Sequence, residues 1–142
     1  MLSSVYSNIL RLIIFFISIS TFNVSSNEIS EYHGYLKLKS NNLSYPVISK
    51  FETNASGTII GTYELFDDGD NDGYFEDKDY GVFYDGVIKD NKMVIYWSDK
   101  WGNGKLNINF IENMNKFEGI CIPIENGREL KASASWNGTL KN

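Results

Sequence analysis

Lys105-Leu106-Asn107-Ile108-Asn109-Phe110 is the stretch that decides the fold. Apolar and polar side chains alternate with a period of two. In an extended chain Leu106, Ile108 and Phe110 therefore share one face, and Lys105, Asn107 and Asn109 share the other. A helix would scatter the same three apolar residues around its circumference. Working outward from this stretch, the alternation recurs and predicts strands near 32–39, 44–52, 57–66, 80–89, 92–98, 104–111, 116–124 and 129–140. The breaks between them carry turn chemistry: Asn41-Asn42, Asn54-Ala55-Ser56-Gly57, Asp90-Asn91, Gly102-Asn103-Gly104, Asn113-Met114-Asn115 and Asn126-Gly127.

The expected fold class is all-β, an antiparallel meander of about eight strands. Rolling such a meander into a small closed barrel removes its exposed edges, and a flattened barrel or sandwich is the alternative. Glycines beside bulky residues recur in Ile60-Gly61-Thr62-Tyr63, Phe117-Glu118-Gly119-Ile120 and Trp136-Asn137-Gly138-Thr139. At such positions strands bend or pack closely. A barrel of this size is wide enough for one small ligand, as in lipocalin-like and avidin-like barrels. The comparison is architectural, since the chain carries no motif of either family.

Ahead of the β region, Arg11 precedes the apolar run Leu12-Ile13-Ile14-Phe15-Phe16-Ile17-Ser18-Ile19, and no carboxylate appears before Glu28. Small polar residues follow up to Ser26. This is the pattern of a signal helix, with residues 1–26 as signal peptide and 27–142 as one all-β domain in a secreted or periplasmic protein. The apolar core is about half the roughly 20 residues that a bilayer span requires, and nothing after residue 27 is long enough to span one.

Removing Arg11 leaves 12 basic against 18 acidic residues, a net charge of −6. All of that excess lies between Asp67 and Asp79, where seven acids accompany one base, Lys78. No basic face is visible, which argues against nucleic acid as a partner. Cys121 is the single cysteine, so no internal disulfide can form, and its setting among Ile120, Ile122 and Ile124 reads as a buried strand position.

Within the acidic segment, Asp68-Gly69-Asp70-Asn71-Asp72-Gly73-Tyr74-Phe75-Glu76 resembles the DxDxDG calcium loop of EF-hands, dockerins and some β-propeller hairpins. Alternate carboxylates around a glycine turn can wrap several oxygens about one Ca2+. The resemblance implies Asp68, Asp70 and Asp72 as the first, third and fifth ligands, Tyr74 through its carbonyl, Glu76 at the ninth position and Asp79 at the twelfth. An EF-hand has Glu at the twelfth position and helical flanks, whereas here the flanks are strands. The match is therefore closer to a calcium-binding hairpin that can close through Glu76. The alternative is a solvated acidic connection.

Histidine occurs once, at His33, so a multi-histidine zinc site is excluded, and neither a GxSxG elbow nor a phosphate-cradling glycine loop is present. Asn42, Asn54 and Asn137 open N-x-Ser/Thr sequons. Trp101, in a turn, and Tyr80 and Tyr84, just after the acidic segment, are the candidate ligand-contacting aromatics. Aromatic faces beside a calcium-ordered loop suit a sugar ring, while packing in the core is the competing role. Three functional classes remain open on sequence: a binding module for an extracellular glycan, small molecule or protein, with calcium ordering one loop; a metal-free inhibitor or cell-surface structural or interaction protein; and an enzyme using carboxylates alone.

Overall fold

The computed structural model describes residues 28–66 and 78–142. The expected signal segment, residues 1–26, lies outside the described residues. Every regular element described is a strand: β1 (Ser30–Leu38), β2 (Ser44–Thr53), β3 (Ile59–Phe66), β4 (Lys78–Lys89), β5 (Lys92–Asp99), β6 (Gly102–Ile111), β7 (Lys116–Glu125), β8 (Arg128–Glu129) and β9 (Ala134–Leu140). Neighbours pair antiparallel in the order β6-β5-β4-β3-β2-β1-β9-β7, and β7 pairs back onto β6. That last ladder closes the sheet. The result is the expected meander, rolled into a closed eight-stranded barrel with the two-residue β8 as an extra strand on β7.

The final strand expected over 129–140 is interrupted. Ile124 pairs with Glu129 and Cys121 pairs with Ala134, so residues 130–133 face only Ile122 and Pro123. The carbonyls of Cys121 and Pro123 accept from Ser133 N and Leu130 N, so this edge of β7 faces the β8–β9 segment. Pro123 has no N–H to return on that edge, and the ladder breaks there.

Strand parity sorts the side chains. On β6, Leu106, Ile108 and Phe110 point inward and are buried, while Asn107 and Asn109 are exposed. The inward set fills the half of the barrel that carries both ends of the β region. There Tyr32 has its ring centroid 5.3 Å from that of Phe117, 5.9 Å from Phe51 and 6.0 Å from Phe110, and its hydroxyl donates to Met114 O at 2.8 Å. Phe51 stacks on Phe83 at 5.0 Å, and Phe83 meets Tyr63 at 4.8 Å and Trp136 at 5.5 Å. A column of rings thus runs up the axis.

Eight strands enclose barely enough room for such rings. Gly81 supplies some of it, since a Cβ there would collide with the Tyr63 ring, and at Gly138 a Cβ would stand 2.5 Å from Phe117 Cε1.

Phe117 is 1% exposed and Ile120, on the same strand with opposite parity, is 48% exposed. Phe117→Ala should destabilise the barrel by about 3–5 kcal/mol in urea unfolding. Ile120→Ala should change stability by no more than about 0.5 kcal/mol.

Candidate functional site

The aromatic column stops short of the other end of the barrel. Above Trp136 the inward positions carry smaller or shorter groups: Leu36 and Leu38 on β1, Leu65 on β3, Cys121 on β7 and Ala134 on β9. The space they leave is a cup of about 520 Å³ that opens at the end where the β1–β2, β3–β4 and β5–β6 connections lie. Tyr45, Phe66, Trp97, Trp101 and Ser133 complete its mainly apolar wall, and among the described residues Asp79 and Asp99 are its charged lining residues.

Asp99 is built into this wall. Its Oδ2 accepts from Tyr63 Oη at 2.8 Å and its Oδ1 from the Trp101 backbone N–H at 2.8 Å. The second bond is an Asx turn, which folds the two-residue connection Lys100-Trp101 between the paired residues Asp99 and Gly102. Trp101 is thereby held at the rim, 74% exposed, with Lys100 Nζ 4.9 Å from its ring centroid. Lys100 also reaches Asp79 Oδ1 at 2.6 Å. Of the two carboxylates, one is neutralised by an ammonium and the other is held by neutral donors.

The indole nitrogens in the wall differ sharply. Trp136 Nε1 donates to the buried Ser49 Oγ at 3.1 Å. Trp97, 8% exposed and pressed against Gly104 with Cζ2 2.6 Å from where a Cβ would stand, has no nitrogen or oxygen acceptor for its buried Nε1 among the described residues, and the Cys121 sulfur is the group it approaches. Its indole helps to favour an ionised Cys121, as does Ser133. Burial and the Asp99 charge outweigh both and push the thiol from 9.0 up to about 11. Burial, with the Asp99 carboxylate, likewise raises the Tyr63 phenol.

Asp68, Asp70, Asp72, Tyr74 and Glu76 lie outside the described residues. The sixth expected calcium ligand, Asp79, faces the cup and bonds to Lys100, so a metal there would compete with an ammonium. Among the described residues no group of three or more His, Cys, Asp and Glu is placed to hold a metal. Of the expected aromatic contacts, Trp101 lines the cup, whereas Tyr80 and Tyr84 point to the outer face of β4, where Tyr84 stacks on Tyr96 at 5.9 Å. The structure therefore does not bring the three together. His33 is exposed on the outer wall with Nε2 2.6 Å from Glu31 Oε1. That contact, with Lys141 and Lys50, holds the Glu31 carboxyl below its usual range.

Sequence reasoning missed Asp99, Trp97, Leu36 and Ser133. The available signal was parity: Asp99 continues the inward series Met93, Ile95, Trp97, which makes it a carboxylate on a buried face. No family model, curated protein or solved structure matches this chain.

The fold holds Cys121 as a neutral thiol, so its contribution to stability is complete below 9.0 and is lost as pH rises toward about 11. At pH 8 the native thiol should therefore react with an aromatic disulfide reagent at least about 100-fold more slowly than in urea. Stability of the wild type should fall between pH 9 and 11, and by less in Cys121→Ala. Denaturation midpoints at the two pH values check this.

Proposed function

We propose that the protein is an exported binding module that takes one small, largely apolar ligand into the open end of its barrel. The observation that carries this reading is the cup itself, an apolar-walled space of about 520 Å³ with a few polar groups in its wall. Small-molecule sites are concave, occupy about 300–1,000 Å³ and combine apolar walls with a few placed polar groups. Cys121, Asp99 and Tyr63 are poorly suited to catalysis: the thiol is protonated at neutral pH, and the carboxylate and phenol are bonded to each other.

Export rests on the sequence pattern of residues 1–26, and the calcium reading on the DxDxDG spacing. The segment that carries that spacing joins the sheet between Phe66 and Lys78, which face each other in register, and Phe66 and Asp79 line the cup.

Titration with the neutral apolar fluorophore N-phenyl-1-naphthylamine tests the binding reading. Saturable, one-to-one enhancement is expected, and it should disappear in Leu36→Trp, which places an indole in the mouth. No enhancement, or enhancement untouched by that folded variant, would overturn the reading and leave the outer wall of Tyr80, Val82 and Tyr84 as the surface through which the protein acts. Calcium is tested separately by thermal unfolding with Mg2+ as control. Calcium at 100 times its dissociation constant should add about 2.7 kcal/mol of stability. The gain should vanish when Asp70 and Asp72 are both replaced by Asn.

A further inference from the structure

The charges around the cup narrow the chemistry of what it holds. A cup that takes a fatty acid is best served by a cation for the carboxylate, and among the described residues no basic side chain lines this one. The nearest ammonium, Lys100, is committed to Asp79 at 2.6 Å and lies over the Trp101 ring. Lys78, next to the rim, is exposed, with its Nζ 5.2 Å from the Phe66 centroid. An anionic head inside the cup would therefore meet the Asp99 carboxylate, while the ammonium groups stay at the rim.

Asp99 is the reverse case. Tyr63 and Trp101 each occupy one lone pair of a different carboxylate oxygen, which fixes the group in place. A carboxylate offers about four acceptor positions, so others remain available. Its charge is felt inside the cup, because it disfavours ionisation of both Tyr63 and Cys121. Two large aromatic faces, Trp97 and Trp101, stand in the same wall, and Trp101 already receives the Lys100 ammonium over its ring. A fixed, unneutralised carboxylate beside exposed indole, at the mouth of an apolar cup, is a receptor for an organic cation.

Resting on the reading of the cup as a ligand site, we infer that its ligand is an amphiphilic amine. Its apolar body lies against Leu36, Leu65, Trp97 and Trp136, and its protonated nitrogen lies at Asp99. The same wall disfavours a carboxylate of equal size.

Three probes that share one body and differ only in the head separate these claims: 1-naphthylmethylamine, 1-naphthylmethanol and 1-naphthaleneacetic acid, each titrated calorimetrically into the protein at pH 7. The amine should bind about tenfold or more tighter than the alcohol, as expected for gaining one charge-assisted contact. The acid should bind more weakly than the alcohol. In Asp99→Asn, whose one amide oxygen can accept from Tyr63 or from the Trp101 N–H, the amine should fall to the level of the alcohol measured in the same variant. Equal binding of all three heads, or preference for the acid, would overturn the amine inference and leave the cup as a ligand site. An amine preference that survives Asp99→Asn would overturn the assignment to Asp99. Failure of all three probes to bind would instead remove the binding reading on which the inference rests. The wild-type ranking alone decides the class of ligand if the variant does not fold.

Discussion

The structure depends on how an eight-stranded barrel accommodates its own aromatic residues. Its interior is narrow, and Tyr32, Phe51, Phe110, Phe117, Phe83, Tyr63 and Trp136 are all buried within it. They fit because glycines stand opposite the largest rings. Gly81 lies under Tyr63, Gly138 beside Phe117 and Gly104 beside Trp97, and a methyl group at any of them would meet ring carbons. Close packing of this kind leaves little freedom in register, since a slip of one residue would send every ring to solvent. Closure through β7 and β6 follows from the same demand, because the column must be covered on all sides.

The cup is the complement of that column. Where the inward residues change from rings to Leu36, Leu38, Leu65, Ala134 and Cys121, the barrel keeps its width but loses its filling. The polar groups at this end are arranged with economy: Tyr63, the last ring of the column, reaches up to Asp99, and Asp99 in turn shapes the turn that presents Trp101. Packing, turn geometry and the charge of the mouth are thus one connected arrangement. A change at Gly81 would reach Trp101 through Tyr63 and Asp99.

Much of the fold was legible in the sequence. The alternation in Leu106, Ile108 and Phe110 gives the strand and its buried face, and Asn126-Gly127 adopts the left-handed pair, φ 51° and 73°, that a tight hairpin needs. Trp101 was legible as a rim residue because Asp99 and Gly102 bracket it. The interruption before Ala134 was not read, although Pro123 signals it, because the cost of a missing N–H depends on which neighbour that edge of β7 faces. The site was legible only in part for a similar reason. Parity places Asp79 and Asp99 inward and Tyr80 and Tyr84 outward, but depth along the axis comes from the stagger of all eight strands. That Asp99 meets Tyr63, and that Trp97 finds no nitrogen or oxygen acceptor among the described residues while Trp136 finds Ser49, are facts of depth.

The central claim is that the open end of the barrel, with Trp97 in its wall, is where the protein meets its ligand. The most direct measurement is the 1H–15N spectrum of the three indole N–H groups during titration with 1-naphthylmethylamine, each assigned by a Trp→Phe variant. The account expects the Trp97 resonance to move most as the ligand packs against its ring, Trp101 to follow at the rim, and Trp136 to stay nearly fixed by its bond to Ser49. A stationary Trp97 while the backbone amides of Tyr80 and Tyr84 shift would contradict it, and would place the binding surface on the outer wall.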